Sequence, residues 1–163
     1  MARSLRILFT TLMALLLLGS CSQQETPIPL SDKQVVALLD ELFEEELQLS
    51  PEYMTYLGMR ERYDEWDDLS DAARDQRLEM TKRHLAKIKS IDPSSLSATA
   101  RLNVQMFIEQ SEQAIAGDKW RYHNYPVNQM RGVHSMIPSF LINQHLIANT
   151  AEAEAYIGRV RNA

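Results

Sequence analysis

The stretch Ser31-Asp32-Lys33-Gln34-Val35-Val36-Ala37-Leu38-Leu39-Asp40-Glu41-Leu42-Phe43 decides the fold class. Ser31 is a natural helix N-cap, and Gln34 three residues on completes a capping-box pattern. Val35, Leu38, Leu42 and Leu49 then fall on one face of a 3.6-residue period, which Val36, Leu39, Phe43 and Leu47 widen. Asp40, Glu41, Glu44 and Glu45 fall largely on the other side. This is an amphipathic helix with a core-facing stripe.

Downstream the same signals recur. Ser50-Pro51 restarts the chain as cap and first helical residue, and Gly58 ends a short helix by taking the left-handed conformation. Met59 to Leu69 is a loop of charges and aromatics. Ser70 caps a helix over roughly 71–91, with Leu78, Thr81, Leu85 and Ile88 as its seam, and Ile91-Asp92-Pro93 stops it. Ser97 or Thr99 opens a third long helix, in which Val104, Phe107 and Ile115 form the stronger row flanked by Leu102, Met106 and Ile108, and Gly117 closes it. Residues 118–138 lose the helical period yet are rich in large side chains, so they are expected to pack against something. A short helix is predicted over 139–146. Asn149-Thr150-Ala151-Glu152 resembles another capping box, and the helix that follows keeps Tyr156, Ile157 and Val160 on period with no stop signal before Ala163. The expected fold is all-α, an irregular antiparallel helical array forming the N-terminal portion of a larger helical domain.

Upstream lies an address. Arg3 and Arg6 precede the apolar run Ile7–Leu18, which Gly19-Ser20-Cys21 cuts off. A positive start and a short apolar stretch make a secretory signal, and the run is shorter than the ~20 residues a spanning helix needs. Small residues before a cysteine resemble the bacterial lipobox, although Gly19 stands where Ala or Ser is more usual. Residues 1–20 are thus expected to be a lipoprotein signal peptide, with Cys21 acylated and holding the protein to a membrane. Ser22 in second position favours the outer membrane by resemblance to enterobacterial sorting. Residues 21–30, polar and with Pro27 and Pro29, are expected to be a tether, leaving 31–163 as the helical region.

Removing Arg3 and Arg6 with the signal leaves 15 basic against 22 acidic residues, a formal −7. Such a surface argues against a nucleic-acid partner and offers no polybasic patch for anionic lipid. With Cys21 committed to lipid, no disulfide and no cysteine-based zinc site is available.

The order of features carries a resemblance. Its pieces are Leu49-Ser50-Pro51-Glu52 with Tyr56-Leu57-Gly58, then Tyr63-Asp64, Asp67-Asp68-Leu69-Ser70, Ile91-Asp92-Pro93 and Arg101-Leu102-Asn103. Tyr125-Pro126-Val127-Asn128-Gln129, Gly132-Val133-His134, Ile137-Pro138-Ser139-Phe140-Leu141 and Glu154-Ala155-Tyr156-Ile157 follow. From about residue 33 onward the chain resembles the N-terminal part of the bacterial family called domain of unknown function 885. That resemblance implies a longer, largely helical, zinc-peptidase-like protein, often a lipoprotein. It implies a metal site far toward the C-terminus, in a His-Glu-x-x-x-x-His motif with a later Glu. Zinc is therefore expected only outside this chain, and a peptide is the implied substrate of the complete protein. His84, His123, His134 and His145 are the only histidines and none precedes a Glu, so no catalytic residue carries over. The alternative is a non-catalytic helical lipoprotein acting as a binding or assembly module.

Other constellations have plain explanations. His123, His134 and His145 lack the i, i+3 or i, i+4 spacing of helical metal ligands. His84, between basic residues on a helix, is expected to be solvated. Asp64-Glu65-Trp66-Asp67-Asp68 lacks the alternation and the Gly of a calcium loop, and reads as a solvated loop anchored by Trp66. The one candidate binding surface is the aromatic-polar run containing Tyr122, Tyr125, Asn128, Gln129 and Arg131.

Overall fold

A computed structural model describes residues 27–123 and 125–163. The expected signal peptide, Cys21 and the expected tether up to residue 26 lie outside the described residues. Six α-helices follow in order: α1 Asp32–Leu47, α2 Pro51–Tyr56, α3 Asp71–Lys89, α4 Ala98–Gly117, α5 Val133–Asn143 and α6 Thr150–Arg161. Among the described residues there is no strand, only isolated bridges at Ile28–Ile91 and Val127–Gly132. The fold is all-α.

The starts of α1, α3, α4 and α6 form where the sequence places them. Gln34 Oε1 accepts from the backbone N–H of Ser31 at 2.9 Å. Ser70 and Ser97 accept from the N–H groups of Ala73 and Ala100, and Asn149 from that of Glu152. Each such bond satisfies a donor that the first helical turn leaves orphaned. At the end of α2, Gly58 has φ 82°. The N–H of Met59 reaches the Met54 carbonyl and that of Gly58 the Thr55 carbonyl, a Schellman closure.

Helices α1, α3 and α4 make one packed layer. Glu41 pairs with Lys87 and Glu45 with Arg83 and His84, so α3 runs antiparallel to α1. Lys89 meets Glu112 and Asp75 meets Arg121, so α4 runs antiparallel to α3. Asp32 accepts from the N–H of Ser97, placing the starts of α1 and α4 together. Between them lies a core of Val35, Leu42, Ile88, Ile91, Leu96, Ala100 and Val104, with Leu38, Leu39, Phe107 and Ile108 against it.

The structure departs from the sequence reading in five places. Val36 and Phe43 are exposed, since the core between α1, α3 and α4 lies along the side of Val35 and Leu42; Phe43 makes an edge contact with the Tyr53 ring at 6.2 Å. The buried line of α3 is Met80, His84 and Ile88, with Leu78, Thr81 and Leu85 only half-buried beside it. His84 is therefore not solvated: it sits i+4 between two core residues, and its Nε2 is 2.9 Å from Glu45 Oε2. Helix α5 starts at Val133, six residues before the expected 139, and contains Pro138. At its sixth position Pro138 sacrifices one backbone bond, while the close fit at the start depends on Gly132, where a Cβ would lie 2.8 Å from His134 Nδ1. The last part of the expected tether is not free, since Ile28 donates to the Ser90 carbonyl and accepts from Asp92 N–H.

Candidate functional site

The second half of the molecule is organised around a buried cation. Arg159, on α6, has no solvent-accessible surface. Its Nε donates to the Glu65 carbonyl at 2.9 Å. Nη2 donates to Thr55 Oγ1 at 2.7 Å and to the Pro51 carbonyl at 3.4 Å. Nη1 lies 3.1 Å from His145 Nδ1. The guanidinium stands over the rings of Phe140, Tyr63 and Trp66, at 4.8, 5.2 and 5.7 Å from their centroids. Trp66 Nε1 donates back to the Arg159 carbonyl at 2.9 Å. Arg159 thus ties α2, the loop after it, α5 and α6 together, with four acceptors arranged around its planar five-donor group.

This geometry fixes the protonation of His145. An arginine has only donors, so Nδ1 must accept, and the ring proton sits on Nε2, which faces the Glu152 carbonyl at 3.1 Å. Burial, and then the charges of Arg159 and Arg60, hold the imidazole pKa below its ordinary value. Both nitrogens of the ring are engaged within the fold.

Beside this hub opens a groove of roughly 740 Å³. Glu52, Tyr56, Trp66 and Asp67 come to it from α2 and the following loop; Met130, Val133, Met136 and Phe140 come from α5 and the segment before it. Tyr56 and Trp66 each pack a ring against Phe140, at 5.5 and 5.3 Å. Two carboxylates stand in this apolar lining. Asp67 is fully used, accepting from Ser50 Oγ at 2.6 Å and from the Glu52 N–H at 3.0 Å. Glu52 Oε1 accepts from the Asp67 N–H at 3.3 Å. Burial, together with the neighbouring Asp67 charge, raises the Glu52 pKa above the usual carboxylate value.

The residues singled out from sequence disperse. Arg131 lines the groove. Asn128 is a turn-former, its Oδ1 accepting from the N–H groups of Met130 and Arg131. Tyr122 lies under the Arg121 guanidinium, 5.0 Å from it, and is exposed. Tyr125 and Gln129 are exposed as well. Within this chain most side chains of residues 118–138 are uncovered: Tyr125 is 85% and Met130 81% exposed. The Asp64–Asp68 loop is anchored by Trp66 as its composition suggested.

Glu52, on the groove wall, and Arg159, at the centre of the hub, are the two positions that do not stand out in the sequence. Glu52 in the first turn of a helix reads as a favourable dipole partner, and a single Arg on an amphipathic helix reads as solvated. The signal for Arg159 was its place on the buried side, four residues after half-buried Ala155.

The zinc implied by the resemblance finds no ligand set among these side chains. Among the described residues no group of three or more His, Cys, Asp or Glu is placed to hold a metal ion. His145 has both nitrogens engaged, by Arg159 and Glu152; His84 has Nε2 on Glu45 and a buried Nδ1 without a hydrogen bond.

An all-α array with a buried-arginine hub and an aromatic, carboxylate-bearing groove is thus the class that fold and site define. The family described as "Bacterial protein of unknown function (DUF885)" matches residues 51–163, and the chain belongs to that family. The match begins at Pro51, at the start of α2, rather than near residue 33, so α1 lies outside it. It covers every residue of the hub and of the groove. No curated protein and no solved structure matches the chain.

Proposed function

We propose that this chain is the helical front of an envelope-anchored lipoprotein of peptidase-like type, and that its groove binds extended peptide. The groove carries the proposal. An apolar cleft with a few convergent polar groups is the usual form of a ligand site, and this one has three aromatic rings, three Met or Val side chains and two carboxylates. Catalytic chemistry is assigned to none of its residues. The exposed Ile157 and Val160, and the exposed side chains between Trp120 and Met136, support a chain whose apolar faces are covered by further polypeptide. The lipid anchor at Cys21 rests on the sequence of the signal. It would hold the protein on a membrane facing the periplasm, because buried methylenes each add about 0.8 kcal/mol.

The test uses the full chain in lipid nanodiscs and the neutral probe N-acetyl-phenylalanyl-norleucine amide. Binding at millimolar or lower concentration, weakened about tenfold by Met136→Asp with unchanged helicity, is the expected result. No binding by the wild type removes the groove from consideration. Independently, Cys21→Ala should release the protein from membranes, and the wild type should carry acyl mass. An unacylated wild type overturns the anchor alone.

A further inference from the structure

We propose that Glu52 makes the groove selective for peptides carrying an ammonium or guanidinium group beside a large apolar side chain. The inference rests on the groove being a peptide site and goes on to say which peptides it takes.

Charge and geometry support it together. Asp67 and Glu52 clamp each other's backbone N–H groups, which fixes two carboxylates side by side on the groove wall. Asp67 has both oxygens engaged. Glu52 has only Oε1 engaged, and among the described residues neither acid has an ion-pair partner. The nearest buried cation, Arg159, directs its donors to Thr55, Pro51, Glu65 and His145 instead. A half-buried carboxylate with a free oxygen, next to the rings of Tyr56 and Trp66, matches a cation in two ways. It offers a charge-assisted hydrogen bond, and the ring faces offer cation–π attraction. Met136, Val133 and Phe140 are left for the apolar neighbour. Arg131 enters the lining from the other wall, so its charge draws a peptide carboxylate away from Glu52.

The expected pH dependence follows from the same neighbours. Burial is the largest cause and raises the Glu52 pKa; the hydrogen bond from the Asp67 N–H offsets part of that, the Asp67 charge adds to the rise and the Arg159 charge opposes it. Preference for a cation should therefore fade on acidification at a higher pH than an ordinary glutamate would give.

The experiment compares N-acetyl-phenylalanyl-lysine amide with the norleucine probe on the full chain, read by Trp fluorescence and by methyl signals of Met136. The lysine peptide should bind about tenfold tighter at low salt. Glu52→Gln should abolish that preference, bringing the affinities for the two peptides to within about twofold of each other. Gln retains the Oε1 that accepts from Asp67, so this variant keeps the clamp. Equal binding of the two peptides by the wild type overturns the selectivity while leaving the groove intact. A preference that survives Glu52→Gln assigns the cation to another group and overturns the role of Glu52. Absence of binding by both peptides overturns this inference together with the peptide groove.

Discussion

The α1–α3–α4 layer and the α2–α5–α6 hub are held together by different physics. In the layer, Val35, Leu42, Ile88 and Val104 meet directly, and charged side chains pair across the rim, as Glu41 does with Lys87. In the hub, the most deeply buried large side chain is charged, and its neighbours are backbone carbonyls, a hydroxyl, an imidazole and three rings. Apolar contacts are forgiving, because a neighbour of similar volume replaces any member at small cost. A guanidinium with four acceptors is not: each acceptor loses a partner when it leaves.

The largest expected effect tests that difference. Arg159→Met should cost about 3–5 kcal/mol, since it leaves the Glu65 carbonyl, Thr55 Oγ1 and His145 Nδ1 buried without their donor. Ile88→Ala, at a fully buried core position, should cost about 3 kcal/mol by cavity formation. Conservative replacements separate the two regions further. Ile88→Val should cost about 1 kcal/mol, whereas Arg159→Lys should recover little of the Arg159→Met loss, because an ammonium cannot match a planar fork. Denaturant melts of the four variants decide this. If Arg159→Lys behaves like wild type, charge alone holds the hub, and the contrast between the regions disappears.

How far each region was legible follows from the same physics. The layer was readable because burial at i, i+3 and i+4 leaves a periodic apolar trace, and the caps Ser31, Ser70, Ser97 and Asn149 mark where it begins. His84 was misread since a polar residue on the buried stripe breaks the trace, and only its partner Glu45, 39 residues away, explains it. The hub leaves no periodic trace at all. Arg159 depends on Pro51, Thr55, Glu65, Phe140 and His145, which come from four separate segments. Its site becomes visible only once α6 is docked. The groove is legible still less, because Glu52 and Met136 are surface-type and core-type residues whose meeting depends on that docking. The early start of α5 was hidden by Pro138, which local rules treat as a helix breaker.

A second, smaller effect separates the regions by pH. His145 is held neutral in the fold, with its pKa below the ordinary value near 6.5. Below that pH the unfolded chain binds a proton that the native ring refuses, so stability falls as pH drops from about 6.5 toward the depressed native value. Carboxylates such as Glu45, whose pKa is lowered by its hydrogen bond to His84, lose their contribution only below about 4.5. His145→Asn, which still offers an oxygen to Arg159, should remove the upper part of the acid loss and leave the lower part. Melts at pH 7, 5.5 and 4 read both windows. An unchanged upper window would show that another group titrates there and that His145 is not the neutral acceptor.

The smallest effect belongs to the face that neither region covers. From Lys119 to Ala151 the chain contains no Asp or Glu, although 22 such residues are spread through the rest. The same stretch exposes Tyr125, Met130, Ile142 and Leu146 to solvent. Solvent-facing side chains contribute little to folding, so Tyr125→Ser should change stability by less than about 0.5 kcal/mol. It also lies outside the groove lining, so affinity for the norleucine probe should not move. The isolated chain therefore sets a baseline against which covering can be measured. In a longer polypeptide or a complex that buries this face, the same substitution removes a packed ring and should cost about 3 kcal/mol or more. An effect of that size in the chain on its own would mean that Tyr125 is already covered, by the chain itself or by a second copy. Repeating the melt across a hundredfold range of protein concentration then separates the two, because only a second copy makes the cost concentration-dependent.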